Sequence, residues 1–204
     1  MSTVSQGPGG SALNTAWHLA AQGIPTNLYA AVGRDSMAQV LTHALREESK
    51  VVDAVNTLAT LEREATASCV SMFGPRVDRT FMSTYGAAKI ATVAQLLGGR
   101  GAGGVDALCD EGVTHVHVGG FYVCKGLHAG LPAAVKRLKS RGVKVSMDPN
   151  FDAAGEWTPV RVGTWLAHLP IYIVSTLGAQ PRASCVAEWG KGGAGYWGWR
   201  RVNV

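Results

Sequence analysis

Short apolar segments alternate with segments of helical periodicity along most of this chain, and that alternation limits its possible folds most strongly. Apolar residues at helical spacing precede Gly23, and the apolar segment 26–32 follows at once. The same order returns later, where strand-like segments 114–118 and 143–147 flank a helical segment, 127–140. Strands that alternate with helices of this length form parallel β-α-β units. The sequence therefore predicts an α/β fold with a mostly parallel, Rossmann-like sheet.

A second helix is expected directly after the strand 26–32. Ser36 and Gln39 have the spacing of a capping box, in which a serine and a glutamine satisfy each other's backbone N–H groups at a helix start. The residues expected on its buried face are Met37, Val40, Leu41, Ala44 and Leu45.

A β-hairpin interrupts this alternation. Segments 66–73 and 79–84 are rich in strand-forming residues, and Gly74 and Pro75 between them mark a turn. A hairpin over about residues 64–88 can cover a ligand bound at the sheet. We therefore expect a small β lid.

Polar and glycine residues follow three of the predicted strands. These are the segments 33–35, 119–121 and 148–150. Parallel sheets bind ligands just beyond the carboxyl ends of their strands. The sequence predicts a ligand site along that edge.

Composition narrows the class of partner. The 204 residues carry a net charge of +5 with the basic residues scattered, which favours a phosphorylated small molecule over a nucleic acid as the anionic partner. No apolar run approaches the roughly 20 residues of a membrane helix, and residues 1–10 lack the features of a signal peptide, so we expect no membrane and a cytoplasmic location. The four cysteines form no C-x-x-C pair, so neither zinc nor disulfides are expected.

The last part of the chain has a different pattern. Residues 171–175 (IYIVS) are compatible with one more strand, but the glycine- and tryptophan-rich segment behind them has no amphipathic period. We therefore divide the chain into a domain over residues 1–170 and a divergent, poorly structured tail over residues 171–204. A shifted reading frame, an alternative exon or an error in the gene model would each produce such a change.

Four segments, in order, carry a resemblance to a known family. They are GGSALNTAWHLAAQG (Gly9 to Gly23) with AAVGRDSMAQVL behind it, DRTFMSTYGAA (Asp78 to Ala88), THVHVGGFYV and VSMDPNFDAAGEW. Together they resemble the first signature, the lid strand, the glycine-ended strand beneath the sugar and the D-x-N strand end of the ribokinase (PfkB) family of carbohydrate kinases. The resemblance covers about residues 7–170.

This resemblance implies a three-layer α/β/α fold with a β lid, incomplete in this chain, and ATP-dependent phosphorylation of a sugar hydroxymethyl group with Mg²⁺. The substrate contacts that it implies are Gly9, Gly10, Asn14, Gly120 and Arg79. Two of these have a structural alternative, since Asn14 can be a buried amide that ties strand to helix, and Arg79 can be a solvated hairpin arginine. A nucleoside substrate, as in adenosine kinases, stays open.

The resemblance places Asp148 and Asn150 close to the path of the phosphate. A helix N-cap after the strand is the alternative for Asp148. Asp35, within V-G-R-D, is interpreted as a turn or cap residue rather than a substrate contact.

The motifs that carry out phosphoryl transfer in the family are missing. The family's G-A-G-D forms an anion hole and supplies the base, but the 204 residues contain only Gly193-Ala194-Gly195-Tyr196, in which Tyr196 replaces the aspartate. No N-x-x-E follows residues 171–175, and eight residues precede Gly9, where the family has a first strand. The sequence offers no catalytic residue, and binding of ATP and Mg²⁺ is in doubt. A non-catalytic sugar-binding pseudokinase or a gene-model fragment is the alternative, and its uncovered sheet edges are consistent with a homodimer through the lid.

Two other patterns have a structural interpretation. The segments 99–104 and 190–195 match the dinucleotide fingerprint G-x-G-x-x-G, but neither follows a convincing strand, so a Rossmann dehydrogenase is a weak competitor. His115 and His117 share one face of a strand, and without a third ligand we interpret them as structural rather than metal-binding.

Overall fold

The structure is a computed structural model that describes residues 4–49, 51, 57–74, 77–98 and 104–150, together with three later strands. Those strands, and residues 73 and 77–79, are described by their backbone. The chain divides into two compact units, Met1–Ala91 and Thr92–Val204.

The first unit contains three helices, two short parallel strands and a hairpin. In chain order they are α1 (Ser11–Ala21), β1 (Ala30–Val32), α2 (Ser36–Glu47), β2 (Leu58–Thr60), β3 (Ser68–Gly74), β4 (Val77–Thr84) and α3 (Gly86–Ile90).

Helix α1 packs by the face that its sequence period predicts. Leu13, Ala16 and Ala20 are buried, and they form one core cluster with Leu28 and Leu45, among others. Burial of apolar surface stabilises the helix by about 25 cal/mol per Å². The predicted helix is confirmed and joins the core of the first unit.

Strand β1 is shorter than predicted. Segment 26–32 was expected to be extended throughout, but only Ala30–Val32 form a ladder, in parallel register with Leu58–Thr60 of β2. The short partner strand limits the ladder, and the carbonyl group of Leu28 instead accepts a hydrogen bond from the Thr57 hydroxyl.

Helix α2 begins at a different cap from the one predicted. Asp35 is its N-cap and accepts a hydrogen bond from the N–H of Ala38, so Ser36 is the first helical residue and the capping box is wrong. In the predicted capping box the Ser36 hydroxyl would accept from the Gln39 N–H, which here donates to the carbonyl group of Asp35 instead. The expected buried face is right for Ala44 and Leu45 but wrong for the exposed Met37 and Val40, whose place in the core is taken by Ala38.

The hairpin is confirmed. Strands β3 and β4 pair antiparallel, for example Val70 with Met82 and Met72 with Thr80. The register shifts between Met72 and Gly74, next to the predicted turn.

The second unit contains the main sheet. Its elements are α4 (Val93–Gly98), α5 (Gly104–Asp110), β5 (His115–Gly119), a 3₁₀ turn (Lys125–Leu127), α6 (Leu131–Ser140), β6 (Lys144–Asp148), β7 (Ile171–Ser175), β8 (Ser184–Trp189) and β9 (Trp197–Val202). Strands β5, β6 and β7 are parallel, and β8 and β9 continue the sheet antiparallel.

Helix α6 covers one face of this sheet. Val135 and Leu138 pack with Val145 and Met147 of β6 in a buried cluster. The helix was expected to begin near Leu127 but begins at Leu131, because Pro132 lacks an N–H and fits only the first helical turn. Its predicted end is confirmed, since Gly142 follows the helix with φ of 80°.

At the end of the chain, the structure has one strand that was predicted and two that were not. The predicted strand at Ile171–Ser175 is confirmed, while β8 and β9 had no sequence signal, because no alternation of apolar and polar residues marks them. The domain boundary at residue 170 and the poorly structured tail stay predictions. Of the two glycine fingerprints, residues 99–103 and 190–195 lie outside the described residues.

Candidate functional site

The N-terminus of α1 is an open polar surface in the first unit. Gly10 is its N-cap, with φ of 112° that favours glycine, and no side chain caps the helix. The first N–H groups of a helix have no acceptor within the helix, so they can bind a hydroxylated or anionic group. A Cβ on either Gly9 or Gly10 would meet no atom within 4 Å, so the space in front of this backbone is open.

Asn14 lies one turn further along α1. It is exposed, which excludes the interpretation as a buried amide that ties strand to helix. Its backbone N–H bonds to the carbonyl group of Gly10 at 2.8 Å, so the side chain stands on a helix turn that Gly10 itself anchors.

Two open clefts lie beside α2. One, of about 450 Å³, runs from Gln6 and Pro8 to His43 and Glu48, directly before the Gly9–Gly10 pair. The other, of about 440 Å³, lies along Arg34, Thr42 and Arg46 among others. Both clefts can accommodate a small polar molecule.

Asp35 joins two parts of the first unit. One carboxylate oxygen, Oδ1, accepts hydrogen bonds from the Ala38 N–H at 2.9 Å and from the Thr66 hydroxyl at 2.7 Å. The other, Oδ2, accepts from the Thr66 N–H at 2.7 Å. These hydrogen bonds, that of the Thr66 N–H first, lower the pKa of Asp35. The interpretation as a cap residue is confirmed, and its contact with Thr66 is a second role.

The backbone around Asp35 approaches the hairpin closely. The Gly33 N–H donates to the Thr66 hydroxyl at 2.9 Å, and the Ala87 N–H donates to the carbonyl group of Ala65 at 2.8 Å. A Cβ on Gly33 would overlap the carbonyl oxygen of Glu64, and a Cβ on Gly86 would overlap that of Ala65. Both ends of the hairpin are therefore held at one point.

In the second unit, the ends of β5 and β6 are joined by hydrogen bonds. The Gly120 N–H donates to the carbonyl group of Asp148 at 2.9 Å, and the Tyr122 N–H donates to that of Pro149 at 3.2 Å. The Asp148 carboxylate accepts from the Asn150 N–H at 3.0 Å, and Asn150 has a positive φ of 58°. This turn places Asp148, Asn150 and Gly120 next to one another, as the sequence predicted for this edge of the sheet.

The backbone conformation of Gly120 disfavours a side chain. Its φ is 77°, while a Cβ there would be in ordinary contact, 3.7 Å from the Cys124 sulfur and 3.8 Å from the Asn150 side-chain nitrogen. Burial raises the pKa of the Cys124 thiol, which therefore stays protonated at neutral pH. The strand end thus has a neutral thiol on one side and an amide on the other.

Two histidines and one serine form a network on the face of the sheet opposite α6. His115 Nε2 and His117 Nδ1 lie 2.7 Å and 2.9 Å from the hydroxyl of buried Ser146 on β6. Burial lowers the pKa of both histidines and is the main cause for each. The charge of Lys144 lowers the pKa of His115 further, by a smaller amount. One hydroxyl donates a single hydrogen, so Ser146 donates to one neutral imidazole and accepts from the other.

The predicted site residues thus fall into separate groups. Gly9, Gly10 and Asn14 lie together on α1, and Gly120, Asp148 and Asn150 lie together at the ends of β5 and β6. The Arg79 side chain and the segment 193–196 lie outside the described residues.

Sequence reasoning missed Thr66 and Ser146. Thr66 is the partner of Asp35, yet 31 residues separate the two, and no local spacing indicates the pair. Ser146 is found by register alone, because His117 pairs with it across β5 and β6.

Among the residues that the structure describes, no three His, Cys, Asp or Glu side chains lie close enough to hold a metal ion. The same part of the chain contains no helix with both the length and the apolar character to cross a membrane.

Comparisons with solved structures concern the fold as a whole. A fructokinase from Xylella fastidiosa is similar, with a TM-score of 0.66, 15% identity, and 97% of this chain and 72% of that chain covered. An Anopheles gambiae adenosine kinase in complex with di(adenosine) tetraphosphate has a TM-score of 0.65 and 12% identity, with 95% of this chain and 65% of that chain covered. An Arabidopsis thaliana ribokinase complexed with ribose and ATP has a TM-score of 0.55 and 13% identity, with 91% of this chain and 64% of that chain covered. The chain thus spans about two thirds of the length of these proteins. No protein-family model and no curated protein sequence matches it.

Proposed function

From the premise that the chain has the ribokinase-like fold, we propose that it is a member of the ribokinase (PfkB) family and binds a sugar or a related small alcohol. The observation that carries this proposal is the open N-terminus of α1. It presents the backbone of Gly9 and Gly10 and the exposed Asn14 at a helix start where no side-chain cap is found among the described residues.

The chemistry of this surface suits hydroxyl groups. Helix N–H groups donate hydrogen bonds to hydroxyl oxygens, and the Asn14 amide can both donate and accept. Because no described atom lies within 4 Å of a Cβ built on Gly10, a hydroxyl group can approach this backbone from that side. Arg79 is proposed as a further substrate contact from the lid, on the family resemblance alone.

On the family resemblance alone, Gly120 is proposed as a substrate contact, and Asp148 and Asn150 are proposed to lie near the path of the phosphate. The carboxylate of Asp148 already orients the Asn150 N–H, so its turn is fixed before any ligand binds. This preorganised turn supports a role in positioning, and it assigns no base, because the aspartate of G-A-G-D has no counterpart in the 204 residues.

Phosphoryl transfer from ATP is the activity of the proposed family, and Mg²⁺ would neutralise charge on the transferred phosphate there. We expect a polypeptide of these 204 residues to bind sugar and to transfer phosphate slowly or not at all, because they contain no G-A-G-D aspartate. A non-catalytic sugar-binding module is the corresponding second candidate.

Thermal stability tests the proposal. A ligand at 100 times its Kd stabilises the folded state by about 2.7 kcal/mol, so ribose or fructose should raise the melting temperature of the purified chain by several degrees. Asn14→Ala should reduce this shift, while Lys139→Ala on α6 should not. Protection by adenosine alone would indicate a nucleoside substrate, and protection by none of the three would contradict the proposal.

Release of ADP from ATP in the same samples tests catalysis. Sugar-dependent ADP release at a turnover typical of kinases, about 1–100 per second, would contradict the expected loss of activity.

The hairpin is proposed to form a homodimer with a second copy. Val70, Met72 and Met82 share one face of β3 and β4 and are 56%, 45% and 62% exposed. A contiguous apolar face of this kind is typical of an interaction surface. Pairing two such faces would remove them from water.

A further inference from the structure

Asp35 bonds to the segment before the hairpin as well as to the N-terminus of α2. An N-cap needs one side-chain oxygen, and here Oδ1 serves the Ala38 N–H. Oδ2 accepts from the Thr66 N–H at 2.7 Å, two residues before β3 begins. The second oxygen therefore belongs to the hairpin.

Thr66 also bonds to the backbone of Gly33, directly after β1. Its hydroxyl donates to Asp35 Oδ1 at 2.7 Å and accepts from the Gly33 N–H at 2.9 Å. Thr66 is 6% exposed, and its hydrogen bond with Gly33 is buried, whereas those with Asp35 are partly buried.

The return end of the hairpin meets the same point. After β4, Gly86 passes so close to the carbonyl group of Ala65 that no side chain fits between them, and the buried Ala87 donates its N–H to that carbonyl group. Residues 64–66 are thus held from one side by Asp35 and Gly33 and from the other by Gly86 and Ala87.

We propose that Asp35 is a positioning residue that fixes the root of the β3–β4 hairpin to the N-terminus of α2. The hairpin then moves from a fixed pivot at Thr66 when it closes over a ligand. The closing movement rests on the proposed function, whereas the fixed root does not.

Two substitutions separate the cap from the root. Asp35→Ser keeps an N-cap hydroxyl for α2, since serine and aspartate cap helices about equally well, but it is too short to reach Thr66 as well. Thr66→Val removes the hydroxyl and leaves the cap at Asp35 intact, and Thr66→Ser restores the hydroxyl. Asp106→Ser serves as a control, because it removes an exposed carboxylate whose partner is Arg137 on α6.

Hydrogen exchange measured by mass spectrometry on the unliganded protein is the test. We expect the amide groups of Thr66 and Ala87 to exchange about tenfold faster or more in Asp35→Ser and Thr66→Val, the change expected for one lost hydrogen bond to a charged group. Those of α2 should stay within about twofold, and Thr66→Ser should recover most of the protection. Asp106→Ser should change neither segment.

Unchanged exchange at the hairpin root in both variants would overturn the proposal. So would equal acceleration in α2 and in the root, because that pattern indicates a general loss of stability. If Asp35→Ser fails to fold, the comparison of Thr66→Val with Thr66→Ser decides alone. Absence of sugar binding by the unaltered protein would contradict the proposed function and leave the exchange result standing.

Discussion

Close packing of backbone at Gly33 and Gly86 determines where the hairpin begins and ends within the first unit. The sequence identified Gly33 as the end of a strand and Asp35 as a cap, because both act on residues close by in the chain. It did not indicate that either residue meets the segment 64–66, since that contact depends on how distant elements pack. Sequence reasoning therefore missed the contacts that these residues make with parts of the chain far away in sequence.

Alanine at either glycine should therefore be costly. The added Cβ of Gly33→Ala or Gly86→Ala would overlap a backbone carbonyl oxygen, which cannot turn aside as a side chain can. We expect each variant to lose at least about 3 kcal/mol of unfolding free energy in urea. Gly9→Ala is the matched control, since its Cβ meets open space, and it should stay within about 0.5 kcal/mol. Equal losses at all three positions would contradict the close approach.

The histidine network should make stability depend on pH. Burial lowers the pKa of His115 and His117 in the folded state, so the unfolded chain binds more protons as the pH falls. Stability should thus be full above the unfolded value of about 6.5 and decrease as the pH falls below it toward the folded values. Urea midpoints at pH 7.5 and 5.5 should differ less in a His115→Gln/His117→Gln variant than in the unaltered protein. A pH dependence that the double variant leaves intact would place its origin in other groups.

At the scale of elements, local signals identified several helices and strands but not the residues at which β1 and α6 begin. The period of α1, the turn of the hairpin and Gly142 behind α6 are local features, and all three were confirmed. Strand β1 was shortened by its short partner and α6 by Pro132. Strands β8 and β9 had no signal at all, because their residues lack alternation.

The proposed homodimer through the hairpin can be tested by sedimentation. If two copies pair through the face of Val70, Met72 and Met82, the variant Val70→Ser/Met82→Ser should sediment as a monomer at concentrations where the unaltered chain is a dimer. Val4→Ser removes an apolar residue outside the hairpin that is 98% exposed, and it should not change the sedimentation. A monomeric unaltered chain at high concentration would contradict the dimer.

For the whole molecule, the fold is confirmed, whereas the substrate and the activity are predictions. The order of four short segments predicted a ribokinase-like fold, and the similarity to solved fructokinase, adenosine kinase and ribokinase structures confirms it. The choice between sugar and nucleoside, and between binding and catalysis, stays a prediction of the family resemblance.

Titration of the ¹⁵N-labelled chain with fructose, followed by NMR, tests the central claim of sugar binding at α1 most directly. The account predicts saturable shifts of the Gly9 and Gly10 amide signals and of the Asn14 side-chain amide, with smaller changes in the core around Leu138. Repeating the titration with ribose and adenosine identifies the preferred ligand class. If none of the three ligands shifts the Gly9, Gly10 and Asn14 signals in a saturable way, the α1 N-terminus is not the binding site and the proposed function is contradicted.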